Sequence, residues 1–159
     1  MNTMTNEKLA PIEKTITVER DAETAFRFFT EGFDKWWPKE THSIGADRHG
    51  VTPERVAVEP GVGGRIYETA ADGTQAGWGR IRVWEPGRRL VFSWGFDKPE
   101  DQHTEVEVIF TPTGESQTRI DLVHRDWEKD PKGAELRPNY NKGWEPVMAN
   151  LLKQCHAHA

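Results

Sequence analysis

Residues 140–155, YNKGWEPVMANLLKQC, decide the fold. Tyr140, Trp144, Val147, Met148, Leu151, Leu152 and Cys155 recur at spacings of three and four, which gathers them on one side of an α-helix. Asn141, Lys142, Glu145, Asn150 and Lys153 fall on the other side. An apolar helix face needs something to bury it. Upstream, residues 53–125 read almost wholly as strand and turn, so the partner is a sheet and the class is α+β. Pro146 interrupts the pattern, because inside a helix a proline costs roughly 3 kcal/mol. The favoured solution starts the helix near Gly143 and leaves Pro146 in the first turn, where a missing N–H is harmless; the alternative is a kink.

Working back from the helix, the strands follow at hairpin intervals. Arg55–Glu59, Gly64–Thr69, Gly77–Trp84, Leu90–Phe96, Thr104–Phe110 and Thr118–His124 are separated by short turns such as Asp72-Gly73 and Pro86-Gly87. Ile12, Ile16 and Val18 alternate to make a first strand at 12–19, so the sheet has seven strands, antiparallel because the connections are short. Asp21 caps a first helix (DAETAFRFFT), and EGFDKWW forms a second short helix or turn that ends at Pro38. Residues 38–52 show no period, and a loop of about fifteen residues is uncommon unless it covers or binds something. Gly61, Gly63 and Gly64 follow Pro60 and open a strand rather than a helix, which makes them a turn or bulge and not a phosphate loop.

Side-chain parity assigns the faces. Leu90, Phe92, Trp94 and Phe96 share one face; Val106, Val108 and Phe110 oppose Glu105 and Glu107; Ile120, Leu122 and His124 oppose Arg119 and Asp121. One face of the sheet is therefore wet and the other covered. The covered face is rich in large aromatic rings.

At 159 residues the chain fits one domain, with residues 1–11 as a disordered leader and 12–156 as the folded unit. Apolar residues at 35%, together with 14 glycines, are near the globular norm. No apolar run approaches the ~20 residues of a membrane span, and no signal peptide is evident. The net charge of −5, with basic residues scattered, argues against nucleic acid. A single cysteine excludes an internal disulfide and fits a reducing cytoplasm; Cys155 lies on the apolar stripe and reads as a small core residue.

Strand, two short helices, six antiparallel strands and a long closing helix together make the helix-grip layout. The chain resembles the START-like (SRPBCC) superfamily of lipid-transfer domains, pollen allergens and polyketide cyclases. Within it the chain looks like the C-terminal-domain family of activators of the heat-shock protein 90 ATPase. The resemblance is carried by IEKTITVERDAETAFRFFT (12–30), GVGGRIYE (61–68), WEPGRRLVFSW (84–94), EVEVIFTPTGESQTRIDLVHRDW (105–127) and GWEPVMANLLK (143–153). It implies a curved sheet around the closing helix, a ligand cavity between them, and possible roles as a chaperone partner or a cyclase-like enzyme. Activators of that kind carry an additional N-terminal domain, and here about eleven residues precede the first strand.

The leading expectation is a cytoplasmic, cofactor-free protein, monomeric or homodimeric, that binds a small hydrophobic or aromatic molecule between sheet and helix. Its walls are expected to be Phe92, Trp94, Phe96, Val108, Phe110, Leu122, Trp144, Met148 and Leu151, with Tyr67, His124 and Trp78 as inward polar groups. The alternative is that these residues close into a solid core. His124 serves either as an acid, base or orienting donor, or as a satisfied structural histidine. Trp36 and Trp37 either rim the pocket or anchor the second helix. His42 and His49 lie seven apart in the loop without the convergent donors that a metal needs.

Overall fold

A computed structural model describes residues 9–96 and 98–159. Strand β1 (Ile12–Val18) leads into helices α1 (Ala22–Thr30) and α2 (Phe33–Trp36). Strands β2 (Arg55–Val58), β3 (Arg65–Thr69), β4 (Gln75–Glu85), β5 (Arg89–Trp94), β6 (Thr104–Gly114) and β7 (Gln117–Arg125) follow, and helix α3 (Gly133–His158) closes the chain. The seven strands form one antiparallel sheet in the order β1-β7-β6-β5-β4-β3-β2. This is the α+β helix-grip fold: the sheet curls around α3, with α1 and α2 early in the chain. Among the described residues no helix is long and apolar enough to cross a membrane.

Local chemistry accounts for the elements. Asp21 caps α1 by accepting from the Thr24 N–H at 3.2 Å. Alternation on β6 and β7 buries Val106, Val108, Phe110, Ile120, Leu122 and His124. On the opposite face Glu105 and Glu107 stand between Arg82, Arg89 and Arg125 as an ionic ladder. Gly61 and Gly63 turn the chain between β2 and β3 at φ of 88° and 87°.

The closing helix departs from expectation. It begins ten residues before Gly143, so Pro146 is interior, and Pro138 is interior as well. Both prolines are exposed. Each removes the bond to the carbonyl four residues back, that of Ala134 or Lys142, and both of those residues are exposed, where water can stand in for the missing N–H. Residues 1–8 of the expected leader lie outside the described residues. From there Leu9 packs against the core, and Arg137 Nε donates to the Ala10 carbonyl at 2.6 Å.

Candidate binding cleft

Most of the space between sheet and helix is filled. Phe26, Phe28, Phe29, Phe33, Trp36 and Phe110 pack beside the C-terminal half of α3, where Phe28 stacks on His158 at 6.5 Å. Here Phe92, Val108, Phe110, Leu122, Met148 and Leu151 are all buried in one continuous core. None of the six lines the cleft at the other end of α3. These six expected wall residues therefore sit in the buried core rather than at the cleft.

At the other end the packing opens. A cleft of about 370 Å³ lies between the first half of α3, the end of β5, and the loop after Pro38. Trp37, Trp94, Phe96, Trp127, Tyr140 and Trp144 supply aromatic walls, and Thr41, His42, Asp47, Lys98, Thr104 and Asp130 supply polar groups. The rings buttress one another: Trp94 lies 5.7 Å from Trp37 and 6.0 Å from Trp144 between centroids. Of the wall residues expected from sequence, Trp94, Phe96 and Trp144 meet at this cleft. Trp37 is at its rim, whereas Trp36 is fully buried, its indole donating to the Phe29 carbonyl at 3.1 Å.

Trp78 sits one layer behind the wall, 5.5 Å from Trp94, and its indole N–H donates to Glu68 at 2.8 Å. Tyr67 is buried but does not line the cleft. It shares strand parity with Arg65, whose guanidinium lies 4.3 Å over its ring, while its neighbour Glu68 points to the covered side. A β-bulge between Ile66 and Tyr67 offsets the pairing with β4 at this point.

His124 is buried completely and its protonation is fixed by its neighbours. The Trp144 indole can only donate, so at 3.0 Å it makes Nδ1 an acceptor. Nε2 then carries the hydrogen and donates to Thr104 Oγ1 at 2.7 Å, and that hydroxyl donates onward to the Trp94 carbonyl at 3.0 Å. Trp127 packs against the ring at 4.1 Å between centroids, tilted by 36°, and its own indole donates to the His124 carbonyl at 2.9 Å. Desolvation lowers its pKa to about 3, so the imidazole is neutral. His124 holds together the three tryptophans that form the cleft floor and does not itself reach the cleft.

The loop forms the third side, anchored by a residue that sequence reasoning passed over. Glu68, a charged strand residue, is buried, and its carboxylate accepts from the Ile44 and Gly45 N–H groups at 2.6 and 2.9 Å as well as from Trp78. Trp37 adds a bond to the His42 carbonyl at 2.7 Å. Lys98 pairs with the buried Asp130, which also accepts from the Lys132 N–H at 2.8 Å and so ties the start of α3 to the cleft edge. Trp127, Asp130 and His42 were not among the expected site residues. The only sequence signal for Trp127 was its place directly after β7, within the stretch that carries the family resemblance.

Sheet, gripped helix and aromatic cleft define a START-like protein. The sequence matches the family described as Activator of Hsp90 ATPase homolog 1-like protein over residues 19–157, and the chain belongs to that family. No curated protein matches it. Among solved structures it is similar to an anthrahydroquino-gamma-pyrone synthase, solved as a complex, with 31% identity, a TM-score of 0.65, and coverage of 92% of this chain and 97% of the other. A self-sacrificing resistance protein from Micromonospora echinospora matches at 25% identity and a TM-score of 0.64, covering 94% and 96%. An Aha1 dimer from Colwellia psychrerythraea shares the fold at 18% identity and a TM-score of 0.64, covering 91% and 94%.

Proposed function

We propose that this protein binds a small, flat aromatic molecule in the cleft between α3, the end of β5 and the loop after Pro38. The observation that carries the reading is the cleft itself. Its volume of about 370 Å³ is walled by four tryptophans, a phenylalanine and a tyrosine, with polar side chains such as His42, Thr104 and Asn139 among them. Pockets of ~300–1,000 Å³ with apolar walls and a few placed polar groups are the usual form of a small-molecule site. Burying ring surface against such walls contributes about 25 cal/mol per Å². The 31% identity to a synthase of fused-ring pyrones supports polycyclic aromatics as the ligand class. A single folded unit and a cytoplasmic location, with the thiol of Cys155 buried, belong to the same reading.

The cleft walls make the test direct. Titration with a hydroxyanthraquinone is expected to quench tryptophan fluorescence saturably and to raise the melting temperature; a ligand at a hundred times its Kd adds about 2.7 kcal/mol of stability. A long-chain fatty acid, too flexible to stack, is expected to do neither. If a panel of polycyclic aromatics leaves both signals unmoved, the reading is wrong.

A ring-forming enzyme acting in the same cleft is the second reading, supported by the same 31% similarity to a synthase. Turnover of a linear polyketide mimic, followed by absorbance of the closed ring, separates catalysis from binding alone. A chaperone-partner role, carried by the family's description, is separated from both by an ATPase assay with the cognate chaperone.

A further inference from the structure

Helix α3 contains two glycines, and only one has a steric reason to be there. A β-carbon at Gly133 would lie 1.8 Å from the Trp127 carbonyl oxygen, so no side chain fits. At Gly143 a β-carbon would meet only the ring of His42, with Nε2 at 3.5 Å and Cδ2 at 3.8 Å, both ordinary contacts. Alanine is a much better helix former than glycine, so the fold neither requires Gly143 nor gains from it. What the missing methyl leaves open is the approach from the cleft to His42 Nε2.

Thr41 Oγ1 lies 2.7 Å from His42 Nδ1 and 3.3 Å from its other acceptor, the Pro38 carbonyl. In the tautomer with the hydrogen on Nε2, the hydroxyl donates to Nδ1 across the shorter contact and the Nε2–H is left facing the cleft. Among the described residues nothing accepts from Nε2. One turn earlier on the same helix face, Tyr140 Oη accepts from the Trp94 indole at 3.0 Å, which leaves its own proton for the cleft. Desolvation lowers the His42 pKa and raises that of Tyr140, so both groups are neutral near pH 7.

We propose that the notch at Gly143 is a carbonyl-recognition subsite, in which His42 Nε2–H donates to a keto or quinone oxygen of the aromatic ligand and Tyr140 donates to a second oxygen. The ligand class is thereby narrowed from flat aromatics to flat aromatics bearing ring carbonyls. Neutral donors suit such oxygens, because a carbonyl offers lone pairs and no charge to neutralise. This rests on the cleft being the binding site proposed above.

Two probes that differ only in the carbonyls provide the test: anthraquinone-2-sulfonate and anthracene-2-sulfonate, each titrated by tryptophan quenching. The wild type is expected to favour the quinone by about tenfold or more, the net worth of one or two hydrogen bonds. His42→Ala is expected to erase most of that preference while holding the anthracene affinity within about twofold, and His42→Gln, which restores an N–H near the same place, to recover part of it. Gly143→Ala is expected to raise the melting temperature and yet weaken quinone binding by about fivefold or more, a combination a purely structural glycine would not give. Equal affinity of the wild type for the two probes overturns the carbonyl subsite and leaves the cleft reading standing. So does loss of both probes together in His42→Ala, or unchanged quinone binding in Gly143→Ala. Failure of both probes to bind the wild type overturns the cleft reading and the subsite with it.

Discussion

Beside the C-terminal half of α3, Phe26, Phe29, Phe33, Trp36 and Phe110 meet one another at centroid separations of 4.9–6.3 Å and leave no free face. Beside its N-terminal half, Trp37, Trp94 and Trp144 meet at a similar 5.7–6.0 Å, yet one side of that cluster faces a cleft. Ring content and spacing do not distinguish the two ends. What differs is the element that completes each one. The closed end is completed by α1 and α2, which insert their own aromatic side chains. The open end is completed by a loop held through its backbone to Glu68, and by a helix face that carries Gly143 where a side chain would fill space. An aromatic sheet face can thus be a core or a binding wall, and the covering segment decides which.

The largest expected effect falls on the closed end. Phe29 is buried between Phe33, Trp36 and Phe110, and Phe29→Ala is expected to cost about 3–5 kcal/mol through lost transfer energy and a cavity. Chemical unfolding would show this as a lower midpoint at unchanged slope. Phe33 and Trp36 also pack on Trp37 of the cleft, at 5.2 and 5.6 Å, so ligand affinity of the folded fraction is expected to fall severalfold at most. A large loss of affinity would mean that the two ends are not separate.

Next comes the anchor of the open end. Glu68→Gln keeps the shape but turns one oxygen that accepts backbone N–H groups into an NH₂, and leaving such donors unpaired costs about 1–3 kcal/mol. The loop can relieve that cost by moving away, so quenching by an aromatic ligand is expected to weaken more than the melting temperature suggests. Faster amide exchange at Ile44 and Gly45 would report the release directly. Exchange and affinity both unchanged would remove Glu68 as the anchor.

These differences mark where sequence reading succeeds. The strands were placed within a few residues, because period-two alternation on β6 and β7 is a local signal and short turns leave antiparallel pairing as the only connection. The face of His124 was legible for the same reason. Its partners were not, since Trp144 and Thr104 lie twenty residues away on other elements. Glu68 was passed over, because burial of a carboxylate by N–H groups 23 and 24 residues distant leaves no local trace. The start of α3 was missed because proline was weighed as an interior residue, whereas Pro138 and Pro146 both lie on the wet side.

His124 lies behind the floor of the open end, and pH isolates its share. Its folded pKa of about 3 is depressed from the ordinary 6.5, so the unfolded chain binds more protons between those values. Stability is therefore complete above about pH 6.5 and falls as pH drops towards 3, by about 1.4 kcal/mol per unit. His42, half-buried and also lowered by desolvation, adds a smaller share of the same sign. Urea unfolding from about pH 7 to about pH 5 is expected to show this slope in the wild type and a much shallower one in His124→Gln. Equal slopes would mean that the imidazole is not held neutral by burial.

The smallest effect is expected on the outer face, which belongs to neither end. Arg125 bridges Glu105, at 2.7 Å, and Glu107, while Arg82 and Arg89 flank the same two carboxylates. Burial alone would raise both carboxylates, but the neighbouring guanidiniums more than offset it and hold them below the usual range. Removing the middle cation leaves each glutamate with a partner, so no charge is stranded. Solvent screens the ladder further, and Arg125→Ala is expected to cost under about 1 kcal/mol, less again at high salt. Cleft affinity is expected to be unchanged. A variant that stayed folded but lost ligand would show that the wet face transmits to the cleft, and the division of the molecule into a sealed end and an open end would need to be redrawn.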